Sequence, residues 1–136
     1  MAVSVQKFRE IVFQVLYIQD MTGRLDEELT AFLIEEFNVG RDTVEKAIAR
    51  AGQVSAMREQ LDAQIAETSE SYAFDRIQSV ERNILRLAVF ELLCDSAIPP
   101  KVAISEAIRL GRKFSAPESG NFINAILDKL HKANNG

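Results

Sequence analysis

The sequence has few of the residues that build metal centres, disulfides and covalent catalysts. Its 136 residues contain one cysteine, one histidine and no tryptophan. The lone Cys94 cannot form an internal disulfide, and the lone His131 cannot supply a multi-histidine metal site or a credible catalytic triad. The CxxC, P-loop and GxGxxG motifs are also missing from the sequence. We therefore predict a protein that is not an enzyme, with no catalytic residues, no metal site and no cofactor.

Long apolar runs are missing as well. No stretch approaches the ~20 residues that a membrane span requires. The N-terminal residues MAVSVQKFREI carry charges where a signal peptide has an apolar core. Cys94 falls in an apolar helical segment, where it acts as a small hydrophobe and suits a reducing compartment. These features predict a cytoplasmic protein without membrane attachment.

Charge is unevenly distributed along the chain. The net charge is −4, but residues 1–75 hold 7 basic and 14 acidic residues, whereas residues 76–136 hold 9 basic and 6 acidic residues. The second half is therefore basic although the whole chain is acidic. Because the local field attracts a phosphate backbone, the overall charge does not exclude binding to nucleic acid.

The segment from Asp75 to Ser96 is apolar on nearly every helical face. Ile77, Val80, Ile84 and Leu87 recur at helical spacing, and further apolar residues fill the remaining sides. Such a helix must be buried on several faces by other helices. Together with 47% hydrophobic residues, this predicts an all-α single-domain bundle of about seven helices around a buried central helix.

Charged side chains interrupt this apolar segment. Arg82 and Arg86 lie four residues apart on one helix face, and Glu81 precedes them. A buried charge needs a partner. One interpretation is a structural ion pair between Arg86 and a carboxylate on a neighbouring helix, such as Glu106 or Asp128. The other is that some of these charges face a protein partner, and the two can both hold.

Capping residues predict most of the remaining helices. Ser4 is a candidate N-cap for a first helix that runs to about Asp20, and Gly23 separates it from a second helix that starts near Asp26 and ends at Gly40. Pro100 fits the first turn of the helix that follows the central one. No segment shows the alternation expected of a strand.

Two further helices are predicted from capping boxes. Asp42 with Glu45 predicts a long third helix to about residue 66, followed by a polar connection over residues 67–73. Ser115 with Glu118 predicts the start of the last helix. The backbone N–H groups at that start are a candidate phosphate site.

Two polar helix faces are candidates for binding RNA. In the first helix, Lys7, Gln14 and Tyr17 share a face, with Arg9 beside them. In the helix after Pro100, the basic residues Arg109 and Arg112 align between terminal lysines. An ordinary solvated face explains either pattern, so the residues alone leave both interpretations open.

Three segments together resemble the NusB family of transcription antitermination factors. They are REIVFQVLY at residues 9–17, VERNILRLAVFEL at Val80–Leu92, and the pair IPPKVAISEAIRLGRKF at residues 98–114 and NFINAILDKL at residues 121–130. They occur in the family's order and at compatible spacing, from about Phe8 to about Leu130. The resemblance implies one NusB-like RNA-binding domain over residues 1–136, with helical subdomains of about 1–70 and 71–136.

The resemblance also implies binding partners. They are a single-stranded boxA-like RNA of ribosomal RNA leaders, the ribosomal protein NusE and the RNA polymerase antitermination complex. With Lys113 added as a phosphate contact, the expected RNA-binding residues are Lys7, Arg9, Gln14, Tyr17, Lys113, Ser119, Asn121 and Phe122. The expected NusE-binding residues are Asp75, Arg76, Glu81, Arg82 and Arg86.

Alternatives to this interpretation remain open at the level of sequence. The N-terminus has only Lys7 and Arg9 where family members often carry an arginine-rich run, so the chain is alternatively a NusE-binding adaptor with little RNA binding of its own. A relationship to the NusB-like extension of ribosomal RNA methyltransferases is a third possibility, although no catalytic domain is expected here. The sequence does not decide whether the protein forms a homodimer.

Overall fold

Helices make up nearly all of the structure, a computed structural model that describes residues 3–69 and 73–135. Within those ranges the chain forms seven α-helices, one short 3₁₀ helix and no strand, which confirms the predicted all-α class. The α-helices are α1 (Val5–Thr22), α2 (Glu27–Phe37), α3 (Arg41–Ala56), α4 (Arg58–Thr68), α5 (Ser79–Cys94), α6 (Pro100–Phe114) and α7 (Ser119–Asn135), and the 3₁₀ helix is Phe74–Arg76. No helix in the described part of the chain is both long and apolar enough to cross a bilayer.

The chain divides into two compact units, Met1–Ala56 and Met57–Gly136. In the first unit, α3 packs against both α1 and α2. The predicted caps are present, because the Ser4 hydroxyl accepts the Lys7 N–H at 3.0 Å and the Asp26 carboxylate accepts the Leu29 N–H at 3.1 Å. The hydrogen bond from the Leu29 N–H lowers the pKa of Asp26 below its usual value, and the hydrogen bond from Arg24 lowers it further.

In the second unit, α5 is surrounded as its sequence requires. It packs against α4, α6 and α7. Every residue from Asn83 to Glu91 is buried, including the large side chains of Leu85, Leu87 and Phe90. Because each fully buried side chain of this size contributes about 1.5–3 kcal/mol, this helix supplies much of the unit's hydrophobic stabilisation.

The predicted long third helix is two helices. The chain leaves helical geometry at Met57, with φ −106° and ψ 14°, and α4 starts at the next residue. The apolar spacing does not mark this break, because Val54, Leu61 and Ile65 on its two sides are all buried. The break also lies at the border between the two units, whereas a subdomain boundary near residue 70 stays a prediction from the family resemblance.

Two smaller predictions differ from the structure. Helix α2 ends at Phe37, and Asn38 rather than Gly40 provides the left-handed C-cap, with φ 53°. The polar connection predicted for residues 67–73 begins later, because α4 continues to Thr68, and residues 70–72 of that connection lie outside the described residues.

The last helix starts four residues later than its predicted capping box. Ser115 is instead the C-cap of α6, where its N–H donates to the Gly111 carbonyl at 2.9 Å. A short turn follows, and α7 begins at Ser119. The Ser115-to-Glu118 pattern was misassigned because the same polar residues serve the end of one helix and the turn that leads into the next.

Helices α6 and α7 approach each other closely at a glycine. A Cβ on Gly111 would lie 2.5 Å from Cδ1 of the fully buried Ile123. Any larger residue at position 111 would therefore push Ile123 away.

Candidate nucleic-acid interface

In the first unit, one face of α1 presents the predicted mixture of polar and aromatic side chains. Lys7, Glu10, Gln14 and Tyr17 are all half-buried on it. The Tyr17 ring lies 6.1 Å from the ring of Phe13, at an interplanar angle of 31°, and Phe13 itself is buried. Tyr17 is thus held by packing while part of its ring stays accessible, which suits a ring that stacks on a base.

Arg9 does not belong to this accessible face. The structure leaves only 6% of Arg9 exposed, so its side chain has little surface for a phosphate. The predicted phosphate contact of Arg9 is therefore corrected to a buried position in α1. The signal in the sequence was the apolar character of Val12, Phe13 and Leu16, which lie three, four and seven residues after Arg9 and are all buried.

In the second unit, the end of α6 and the start of α7 present a second set of predicted residues. Lys113 and Asn121 are exposed and Phe122 is half-buried. The Lys113 ammonium lies 5.5 Å from the centre of the Phe114 ring, within the range of a cation–π interaction. A cation, an amide and an aromatic ring are therefore available at this helix junction.

Ser119 and the helix N-terminus are less available than the sequence predicted. Ser119 is 4% exposed, and its hydroxyl donates to the Ser115 hydroxyl oxygen at 3.0 Å. The N–H groups of Ser119, Gly120, Asn121 and Phe122 donate to carbonyls of residues 116–118. The carbonyls of the preceding turn already accept from these N–H groups. The predicted phosphate site is therefore corrected, because the donors are not available for an anion.

A groove between α6 and α7 was not among the predicted sites. It is open, has a volume of about 740 Å³, and its floor includes Ile104 and Ile108. The remaining side chains around it are Lys101, Ser105, Arg109, Arg112, Lys113, Asn124 and Asp128. The basic face of α6 was the signal in the sequence, but the groove needs α7 as its second wall.

The Arg112 side chain connects this groove to the start of α7. A Cβ on Gly120 would lie 2.6 Å from Nε and 3.2 Å from Cζ of Arg112. The guanidinium therefore lies against the first turn of α7, where a side chain at position 120 would have to share space with it and with Ile108.

The predicted partner-binding residues lie in the second unit around the start of α5. Asp75 and Arg76 are exposed on the 3₁₀ helix, and Glu81 and Arg82 are half-buried in the first turn of α5. Arg82 donates to the Ile77 carbonyl at 3.4 Å and to the Ser79 hydroxyl at 3.2 Å. These bonds fix the Arg82 guanidinium against the chain just before the helix.

Arg86 is a structural residue. Its Nε donates to Oδ1 of Asp62 at 2.7 Å and its Nη2 to Oδ2 at 2.9 Å, while Nη1 donates to the Asn83 amide oxygen at 3.2 Å. The Phe74 ring lies 5.8 Å from the guanidinium carbon, and the Arg86 side chain is 5% exposed. This side chain has almost no surface for a partner, which corrects its predicted contact with NusE.

The ion pair of Arg86 was predicted in kind but with the wrong carboxylates. Glu106 instead forms two bonds of 3.0 Å with Arg109, and Asp128 pairs with Lys132 at 2.9 Å. Asp62 lies on α4, which the sequence merged with the preceding helix. Without that helix as a separate element, its packing against α5 could not be anticipated.

The matching family model and the relatives named here share one name. The NusB family model matches residues 6–132. The transcription antitermination protein NusB of Dehalococcoides mccartyi is 35% identical over 133 residues, which cover 98% of this chain and 93% of that protein. The protein of the same name from an Anaeromyxobacter species is 39% identical over 131 residues, covering 96% of this chain and 91% of that protein.

Solved structures show the same similarity in three dimensions. NusB of T. maritima superposes with a TM-score of 0.80 at 30% identity, over 97% of this chain and 93% of that chain. A crystal structure of the antitermination factors NusB and NusE in complex with dsRNA matches with a TM-score of 0.80 at 30% identity. The match covers 94% of this chain and 96% of that chain. The fold and these matches define a non-enzymatic, all-helical protein of transcription antitermination. The chain belongs to the NusB family.

Proposed function

We propose that this protein binds a single-stranded boxA-type RNA of ribosomal RNA leaders together with NusE, and that the complex acts on RNA polymerase to suppress termination. The observation that carries the proposal is the match, over 94% of the chain, to a NusB that was crystallised with NusE and RNA. The RNA in that complex is double-stranded, so the choice of a single strand belongs to the proposal.

The described side chains support separate roles for the two faces. On α1, Tyr17 stacks on a base while Lys7 and Gln14 contact phosphate and base edges. At the junction of α6 and α7, Phe122 offers a second stacking ring, Asn121 an amide and Lys113 a charge for a phosphate. Arg9 and Ser119 support these faces from buried positions rather than by direct contact.

The NusE surface in this proposal is the exposed start of α5 and the 3₁₀ helix before it. Asp75 and Arg76 offer two charges of opposite sign, and Glu81 and Arg82 extend the charged surface along α5. Arg86 keeps α4 against α5 through Asp62 and takes no direct part.

Fluorescence anisotropy with three labelled RNAs, each measured with and without NusE, tests the RNA-binding function. The RNAs are a boxA strand, a scrambled strand and a boxA duplex. We expect the boxA strand to bind most tightly. Tyr17→Leu should reduce the affinity for the boxA strand more than the affinity for the scrambled strand, because leucine cannot stack on a base. Equal affinities for all three RNAs in every condition would refute the proposal.

The same titrations test the NusE surface through two charge-changing variants. Arg76→Glu should weaken NusE binding while the melting temperature stays unchanged, because Arg76 is exposed. Arg86→Met should lower the melting temperature instead, because it removes the bidentate partner of Asp62 and leaves only the exposed Arg58, 3.9 Å away. Unchanged NusE affinity in Arg76→Glu would remove that residue from the interface.

The burial of Arg9 favours a second candidate function, a NusE-binding adaptor with little RNA binding. Lys7 is then the only cation on the accessible face of α1, so fewer phosphates are neutralised there. NusE binding that gains nothing from added boxA RNA would select this adaptor function.

A further inference from the structure

We propose that the groove between α6 and α7 holds the phosphate backbone of the RNA that flanks the boxA element. This inference rests on the proposed RNA-binding function and extends it to a second, sequence-independent contact. Lys101, Arg109, Arg112 and Lys113 surround the groove, against one carboxylate from Asp128. An excess of cations around an open groove is the electrostatic pattern that a phosphate backbone requires.

The cations lie towards the two ends of α6, with Lys101 in its first turn and Arg109, Arg112 and Lys113 near its end. From Lys101 to Lys113 the helix rises roughly 18 Å, so the charges form a track rather than a single anion pocket. Lys101 and Arg112 are exposed at opposite ends of this track. Arg109 is partly neutralised by Glu106, and Asp128 by Lys132, so the two ends carry the largest share of the attraction.

The groove continues into the proposed boxA surface of the same unit. Arg112 lies over Gly120, which directly precedes Asn121 and Phe122. An RNA strand that contacts Asn121 and Phe122 can therefore extend into the groove past Arg112 and Lys113. Its phosphates stay close to basic side chains along this path. A glycine at position 120 is what lets the guanidinium occupy this connecting position.

The lining favours a nucleic-acid backbone over a protein helix as the occupant. The apolar floor includes only Ile104 and Ile108, both half-buried, which is a small area for the apolar face of a helix. Among the residues that the structure describes, no aromatic side chain on which bases could stack lines the groove. The groove thus contacts phosphates without reading bases, and its contribution should not depend on the flanking sequence.

Anisotropy titrations with RNAs of two lengths test the inference on the full chain with NusE. One RNA is the boxA strand alone, and the others extend it by about eight uridines or adenines on either side, within the range that single-strand grooves cover. We expect an extension on one of the two sides to raise the affinity roughly tenfold at low salt, equally for uridines and adenines. The affinity of that extended RNA should also depend more steeply on salt than the affinity of the short boxA strand.

The variant Lys101→Gln/Arg112→Gln should lose this gain while binding the short boxA strand as before. Its plot of log affinity against log salt for the extended RNA should become shallower by about 1.4, since each phosphate that is no longer neutralised reduces the slope by about 0.7. Lys46→Gln/Lys129→Gln removes the same charge from exposed positions outside the groove and should keep the gain. Gly120→Ala displaces Arg112 at constant charge and should reduce the gain partway.

Three results would overturn the inference. They are no gain from either extension, an equal loss of gain in the groove variant and its control, or a groove variant that weakens NusE binding instead, which would make the groove a protein-binding surface. Failure of the proposed function is seen separately, as equal binding of the short boxA and scrambled strands. The gain in affinity from extending the RNA can be measured with either the boxA strand or the scrambled strand as the central segment. The groove inference is therefore tested whether or not the proposed function holds.

Discussion

At the scale of single residues, the ion pair between Arg86 and Asp62 joins α5 to α4 in the second unit. A bidentate guanidinium–carboxylate pair in a nearly closed site is strong, but removing one member leaves a buried charge without compensation. We expect Asp62→Ala to lower the free energy of unfolding by about 3 kcal/mol. Urea denaturation followed by circular dichroism measures this change.

The matched control is Asp42→Ala, which removes a carboxylate from an ion pair on the surface. Asp42 pairs with Lys46 at 3.1 Å, with 81% and 70% of the two side chains exposed. Its loss should cost no more than about 1 kcal/mol. A similar cost for the two variants would mean that the Arg86 pair contributes no more than a solvated one.

At the scale of helices, two glycines in helix interiors should respond in opposite ways to alanine. Gly111→Ala places a methyl group against the buried Ile123, and the resulting overpacking should outweigh the better helix propensity by about 1 kcal/mol. Gly52→Ala meets no atom within 4 Å and should stabilise the protein by about 0.5–1 kcal/mol. Urea unfolding of both variants gives the two signs, and stabilisation by Gly111→Ala would contradict the close approach of α6 and α7.

How far the sequence predicts these helices depends on which force sets each feature. Ser4, Gly23 and Asp26 act through contacts within three or four residues, so the ends they set were confirmed. The break at Met57 lies in an uninterrupted apolar pattern, and only the packing of α4 against α5 distinguishes it. Local chemistry is visible in a sequence, whereas a choice between two long-range packings is not.

The candidate site shows the same division. Asn121 is exposed and Lys7 and Phe122 are half-buried, so all three keep some accessible surface, and their roles stay predictions until RNA binding is measured. The burial of Arg86 was one of two interpretations that the sequence left open, and the structure selects it. The burial of Arg9 was missed, because its position beside Lys7 and Gln14 was given more weight than the apolar Val12, Phe13 and Leu16 at helical spacing from it. The resemblance to a family identified regions, and only the structure separates the residues within them that are accessible.

At the scale of the whole molecule, the acidic first half should slow RNA association only when salt is low. The Debye length is about 30 Å at 0.01 M ionic strength and about 8 Å at 0.15 M, so distant carboxylates are screened at the higher value. Glu35→Gln/Glu45→Gln, at two exposed positions, should therefore speed stopped-flow association at low salt and leave it unchanged at physiological salt. Acceleration that persists at physiological salt would place these carboxylates within contact distance of the RNA.

The glycine at position 120 makes this surface sensitive to a substitution that changes no charge. A Cβ there would lie 2.6 Å from Nε of Arg112 and 3.1 Å from Cγ2 of Ile108. We therefore expect a mutational scan of α7 to tolerate few replacements at this position, even among small uncharged residues.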